Sequence, residues 1–369
     1  MIKVLHIISD TNIGGAGNYL LNFLQSFDRG SFSASVAIPK GGMLKDRILK
    51  LGIEVHELDR LRPKSFDIPV IKPLARLIRE TQPDIVHTHG ALSGRIAGKR
   101  CGKHVVFTRH SGFESNRFFT RGVGKALFKL INKRYADRII ATSYLCRDDL
   151  VNCGVPESSI DVILNGAPPI AKLDKLQRDQ MRLERGFTAD EFITGIVARI
   201  EPYKGQMFVI EAARILKDEG RKLKIIVAGT GSYEAEVRQR AQELELDDMV
   251  FFAGFVHDVA PLLNMLDVQI NASYIETTSL SLLEGMSIGL PAVASNESGN
   301  PWVIEDGVNG LLFNSRDSIS LAASIARLHD SPDLCAKLSA GAYEVYNSSF
   351  TSERFVRSTE NTYLKALEV

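Results

Sequence analysis

Apolar and polar positions alternate in blocks along the first half of the chain. Val4 to Ser9 is a nearly continuous apolar run, as expected of a strand covered on both faces, and glycines 14, 15 and 17 lead from it into Leu20, Leu21, Phe23 and Leu24 at helical spacing. Strands are predicted at 34–38, 53–58, 84–87 and 104–108, with helices near 44–51 and 69–80 and another from Ala91. Strand followed by helix, repeated in this way, predicts a doubly wound parallel sheet whose ligand-binding loops lie at the carboxyl ends of the strands. Two further strands, 137–142 and 159–164, flank a helix that starts at Ser143.

The polar stretch Pro168 to Glu184 reads as a linker, after which the rhythm begins again. Strands are predicted at 192–198, 224–228, 249–252 and 267–270, and helices run through Phe208, Val209, Ala212 and Ile215 and over 233–244. A short amphipathic helix starts near Ser279, Ala292 to Ala294 is a buried strand, and 318–329, 332–346 and 352–367 read as helices, the last with Ser352 as its N-cap. The fold class is therefore α/β with two domains, placed at 1–168 and 169–350, and a terminal helix at 351–369.

Composition narrows the classes. At 369 residues the chain exceeds one ordinary core, and 44% hydrophobic, 24% charged residues with a net charge of +1 exclude a disordered or globally nucleic-acid-binding protein. Cys101, Cys146, Cys153 and Cys335 form no CxxC pair, which fits reduced thiols. No cleavage site follows MIKVLHIISD and no apolar run approaches the ~18 residues needed to span a bilayer, so a cytoplasmic location is expected.

Charge is nevertheless uneven. Residues 95–138 hold twelve Lys and Arg against only Glu114 and Asp137. Within them GVGKALFKLINKRYADR sets Val123, Leu127, Leu130 and Ile131 on one side and Lys125, Lys129 and Lys133 on another, and with Arg117 and Arg121 it reads as a membrane or acceptor surface. An ordinary solvated helix face is the bland alternative; nucleic acid is the lesser one, because interleaved aromatics are sparse.

Candidate chemistry gathers after the strands. The turn at Gly14 and Gly15 either lets backbone N–H groups approach a phosphate or is simply a tight strand-to-helix turn. His87 and His89 share one side of a strand end, where the lack of further ligands favours a hydrogen-bonded structural role over a metal. Arg199 and Lys204 follow a strand as a pair able to hold phosphate oxygens, and Gly229 closes the next strand as a turn of close backbone approach. Glu276 precedes the helix that carries Glu284, whose free N–H groups suit an anion.

VARIEPYKG and the spacing of Glu276 to Glu284, followed by SIGLPAVAS, resemble the R-x4-K and E-x7-E elements of the GT-B retaining glycosyltransferases of family 4. That resemblance implies two Rossmann-like domains facing across a cleft, with acceptor on the first and sugar nucleotide on the second, and a last helix returning to the first. It implies a metal-independent hexosyltransferase with no cofactor. Gly14, Gly15, Arg199, Lys204, Gly229, Gly254, Phe255, Glu276, Thr278, Ser279, Leu280 and Glu284 would bind the donor, and His110, Glu276, Arg199 and Lys204 would be catalytic. Gly254 and Phe255 would lie beside the base, Glu276 on the sugar and Glu284 on the ribose. A UDP-sugar is the expected donor and a saccharide or lipid-linked saccharide the acceptor, as in surface polysaccharide or lipopolysaccharide assembly at the inner face of the cytoplasmic membrane. Thr277 stands where the family usually has Gly, which would narrow the sugar pocket, and Trp302 where it often has Glu. The alternatives are a catalytically silent GT-B scaffold, an NAD-dependent oxidoreductase and a sugar-nucleotide epimerase.

Overall fold

The computed structural model describes residues 1–11, 14–62, 64–110 and 115–369. Glu114, one of the two acids counted in the basic stretch, lies outside the described residues. The chain divides into two compact units, Met1–Gly166 with Ser352–Val369, and Ala167–Thr351.

The first unit holds β1 (Ile2–Ile8), α1 (Gly15–Ser26), β2 (Phe32–Pro39), α2 (Lys45–Lys50), β3 (Glu54–Leu58), α3 (Ile68–Thr81), β4 (Ile85–His89), α4 (Leu92–Arg100), β5 (His104–Arg109), α5 (Gly122–Tyr135), β6 (Arg138–Ala141), α6 (Tyr144–Asn152) and β7 (Ile160–Val162). Its seven strands pair in parallel in the order β3-β2-β1-β4-β5-β6-β7, so the order reverses beside β1. Alternate residues of β1 serve opposite faces. Val4 and Ile8 join the core of α1, whereas Leu5 and Ile7 join that of α3 and α4, which explains the unbroken apolar run.

The second unit holds α7 (Lys175–Glu184), β8 (Phe192–Val197), α8 (Gln206–Asp218), β9 (Leu223–Ala228), α9 (Glu234–Glu243), β10 (Val250–Gly254), α10 (Ala260–Met265), β11 (Val268–Asn271), α11 (Leu280–Ser287), β12 (Ala292–Ser295), β13 (Gly310–Phe313), α12 (Ser318–His329) and α13 (Pro332–Ser349). Six parallel strands run β10-β9-β8-β11-β12-β13, with the reversal beside β8. The last helix, α14 (Ser352–Leu367), belongs to the first unit, where Phe355, Val356 and Tyr363 enter the core of α1. Ser352 is its first helical residue and not its cap, and its hydroxyl donates to Asn22 Oδ1 at 2.6 Å.

The expected linker at 168–184 is overturned by α7. Asp174 and Gln177 form a capping box, and beside the partly buried Met181 the buried side of the helix is held by charge. Arg178 and Arg182 both reach Asp267, at 2.6 and 2.8 Å, and Arg182, only 2% exposed, also donates to the carbonyls of Met265, Ala189 and Glu191. Its polarity hid the helix from hydrophobic periodicity. Removing the carboxylate should strand a buried guanidinium, so Asp267→Ala is expected to lower unfolding free energy in urea by about 3 kcal/mol; an unchanged midpoint would contradict this anchoring.

Candidate active site

The proposed donor-binding side chains of the second unit come from the carboxyl ends of its central strands. After β8 the chain passes exposed Arg199, whose Nη2 lies 3.4 Å from the Tyr203 hydroxyl, and enters a short 3-10 turn, Pro202–Lys204. Gly205 follows at φ +78°, and a Cβ there would sit 2.2 Å from the Ala272 carbonyl oxygen just beyond β11. Only glycine permits that approach. It carries Lys204 onto Glu276, Nζ to Oε2 at 2.6 Å, with side chains 15% and 12% exposed.

Glu276 is fixed from several directions. Its Oε1 accepts from the Thr277 N–H at 3.2 Å, its own N–H donates to Ser298 Oγ at 2.8 Å, and its carbonyl accepts from that hydroxyl and from the Gly299 N–H. Thr277 is not among the residues with positive φ, so it carries its Cβ here without backbone strain. Ser298 escaped sequence reasoning; its signal was the SGN turn after β12. Trp302 ends a short 3-10 turn and is about half exposed.

Ser279 caps α11, accepting from the Leu282 N–H, while Thr278 is buried and Leu280 opens the helix. The Ser281 hydroxyl donates to the Val197 carbonyl at 2.9 Å, tying the helix start to the end of β8. At Gly229, φ +134°, a Cβ would meet the Ala198 carbonyl at 1.9 Å, so the loop after β9 lies directly on the one carrying Arg199. Gly229 also donates to the Gly254 carbonyl at 2.7 Å, and Phe255 beside it is 73% exposed. Burial, reinforced by the nearby Asp258 carboxylate, raises the Glu284 carboxyl from 4.5 to about 7. Asp258 was not anticipated from sequence.

Gly14, Gly15 and His110 belong to the first unit. Gly14 caps α1, and Gly15 has open space where a Cβ would project. His110 follows β5 and lines a cavity of about 550 Å³ with His89, Asp10, Arg95, Arg109 and Lys64. Strand pairing sets His6 opposite His87, so the further imidazole that sequence reasoning did not see comes from β1. Ring nitrogens of His6, His87 and His89 come within 4.8 Å of one another. Both nitrogens of His87 are engaged, by Tyr363 Oη at 2.7 Å and Thr108 Oγ1 at 2.6 Å, and His89 touches His6 and His110, so the cluster is a hydrogen-bonded network and a poor metal cage.

The basic stretch is less concentrated than its sequence suggests. Arg95 bonds Asn132 and lies over Phe107, while Lys99, Arg109 and Arg138 pair with Asp137, Asp149 and Asp161. On α5 part of the apolar side faces outward: Val123, Leu127 and Leu130 are 82%, 45% and 62% exposed, while Ile131 is half-buried and Phe128 packs against the core of β5, β6 and α6. Lys125 is half-buried beside Gly154, and Arg117, Arg121, Lys129 and Lys133 are exposed.

Comparison with known proteins agrees with this architecture. Residues 13–169 match the model described as Glycosyltransferase Family 4 and residues 177–345 that described as Glycosyl transferases group 1. The chain belongs to the group 1, family 4 glycosyltransferases of GT-B fold, and is a glycosyltransferase enzyme. It is 30% identical over 296 residues to Bacillus subtilis EpsD, covering 75% of this chain and 76% of the relative. It is 27% identical over 352 residues to an Escherichia coli UDP-Gal:alpha-D-GlcNAc-diphosphoundecaprenol alpha-1,3-galactosyltransferase, covering 89% and 88%. Anabaena HepE in complex with UDP shares the fold with a TM-score of 0.85 at 22% identity, over 98% of this chain and 100% of that one.

The Glu284 carboxyl makes stability depend on pH. Its folded value lies above the unfolded one, so its contribution to stability is present below pH 4.5 and lost as pH rises through about 7. Glu284→Gln avoids burying that charge. The variant should be more stable than the parent at pH ~8 by about 3 kcal/mol and nearly equal at pH ~4, and thermal melts showing no such divergence would contradict the assignment.

Proposed function

We propose that the chain is a retaining, metal-independent glycosyltransferase that moves a sugar from a UDP-sugar to a saccharide or lipid-linked saccharide acceptor in surface-polysaccharide assembly. The observation that carries this reading is the meeting of Lys204, Glu276 and the start of α11 at the carboxyl ends of β8 and β11, with Arg199 on the adjoining loop. Departure of a nucleoside diphosphate builds negative charge on phosphate oxygens. A guanidinium, an ammonium and free helix N–H groups are the donors that stabilise it, and they require no metal. Glu276 holds Lys204 in place and faces the donor sugar; Glu284, near Asp258, takes the ribose. The donor is assigned to the second unit and the acceptor to the first.

The names of similar proteins support the substrate classes. The Escherichia coli relative is named for a UDP-sugar and a diphosphoundecaprenol acceptor, a Rhizobium meliloti relative for lipopolysaccharide core synthesis, and the Anabaena neighbour was solved with UDP. Each oxyanion donor contributes about 3 kcal/mol, so Lys204→Ala should lower turnover at least ~100-fold. Turnover close to that of the parent would refute the phosphate role. With chelator present the parent should keep its rate, and NMR of early product should show the donor's anomeric configuration.

We further infer peripheral contact with an anionic membrane through α5. A surface helix ordinarily turns its apolar stripe to the core; here Phe128 does so, but Val123, Leu127 and Leu130 face out beside exposed Arg117, Arg121, Lys129 and Lys133. Such a surface suits the headgroup boundary, with about 1 kcal/mol from each basic residue near it. No helix among the described residues is long and apolar enough to cross a membrane. Vesicles of anionic lipid should float the protein at low salt, and Leu127→Glu with Leu130→Glu should abolish flotation. Flotation of that double variant equal to the parent's would remove α5 from the contact.

A further inference from the structure

A line of imidazoles leads from the inside of the first unit to the cavity beside β5. His6 Nδ1 lies 3.2 Å from His89 Nε2, and His89 Nδ1 lies 3.0 Å from His110 Nε2. His89 and His110 stack at 5.2 Å, and His6 and His89 at 5.5 Å. Each nitrogen-to-nitrogen contact needs one N–H and one lone pair, and a neutral imidazole carries a single N–H. The tautomer of one ring therefore dictates the other two.

The inner end decides the direction. His6 Nε2 is buried and has no hydrogen-bond partner among the described residues. A buried N–H without an acceptor is a rarer and costlier arrangement than a bare lone pair. His6 accordingly carries its proton on Nδ1 and donates to His89 Nε2, and His89 donates from Nδ1 to His110 Nε2.

We propose that His6 and His89 are positioning residues that lock His110 as a neutral ring with its proton on Nδ1, making it a hydrogen-bond donor to a ligand oxygen and not the base of the transfer. This rests on the reading of the chain as a sugar transferase whose His110 meets the reacting sugar. A ring whose Nε2 is filled by His89 and whose Nδ1 already bears a proton has no site for the acceptor's proton. As the new bond from acceptor oxygen to the anomeric carbon forms and the bond to phosphate oxygen breaks, that proton passes to the departing diphosphate oxygen.

The surroundings hold the ring neutral. Burial lowers His6 and His110 to about 3, and His89 falls well below its ordinary value through burial and the neighbouring imidazoles. Arg95, Arg109 and Lys64 line the same cavity with Asp10, and Arg109 is paired with Asp149 at 2.6 Å. Tyr19 meets His110 edge-on at 4.8 Å, its hydroxyl raised by burial to about 12.

The test is long-range nitrogen–proton NMR on the full chain containing 15N-labelled histidine, with His110 assigned by the signals lost in His110→Asn. A protonated Nδ1 and bare Nε2 on His110, unchanged from pH ~5.5 to ~8.5, are expected. A proton on Nε2, or a ring titrating near ~6.5, would overturn the proposal. In His89→Leu, whose amide spectrum reports whether it folds, His110 should populate both tautomers; persistence of the single Nδ1–H form would show that His89 does not position it. The spectra are read without turnover, so a failed lock leaves the transferase assignment standing, and absent turnover with the expected tautomer strikes that assignment alone.

Discussion

Where the loops of the second unit cross, a backbone carbonyl stands in the space of a missing side chain. The Ala272 oxygen occupies the place of a methyl group on Gly205, and the Ala198 oxygen does the same at Gly229. Those approaches draw the segments after β8, β9 and β11 closer than side chains would allow. Lys204, one residue before Gly205, is thereby brought within 2.6 Å of Glu276, although the two are 72 positions apart in sequence. The ion pair is a consequence of backbone contact, and the charge available to a phosphate follows from it. A methyl at Gly205 would have to move either β8 or β11, both of which carry core residues of that unit.

Parallel strands covered on both faces leave a clear mark in sequence, as the alternation of β1 between two cores shows. The strands of both sheets except β13, and most helices, were legible for that reason, and Arg199, Lys204, Glu276 and Glu284 stood out as candidates because two spaced signatures coincided. Contacts whose meaning arises only through pairing were hidden. His6 looks like a stray polar residue in an apolar strand until its register places it opposite His87. Helix α7 was concealed because its anchor is Arg182 on Asp267 and on carbonyls, which hydrophobic periodicity cannot register. The direction of α5 was likewise hidden, since a helical pattern gives an apolar side without saying whether that side faces core or solvent.

The two units use opposite electrostatic means. In the second, charge is fixed and paired: an ammonium on a carboxylate, with a second carboxyl, Glu284, raised to about 7 by burial and Asp258. In the first, buried imidazoles stay neutral: His6, His89 and His110 are joined as donors and acceptors, and His87 is held by Tyr363 and Thr108. Stabilising a leaving diphosphate calls for the former, and orienting neutral hydroxyls for the latter.

The central claim is that the second unit binds a nucleoside diphosphate through Arg199 and Lys204 without a metal. Thermal unfolding of the full chain with UDP, GDP or ADP, each with and without EDTA, tests it most directly, because ligand at 100 times its dissociation constant adds about 2.7 kcal/mol of stability. The account predicts that UDP raises the melting temperature equally in both conditions and that the shift disappears in the Arg199→Ala, Lys204→Ala double variant. No shift with any of the three nucleotides, or a shift that EDTA abolishes, would contradict it.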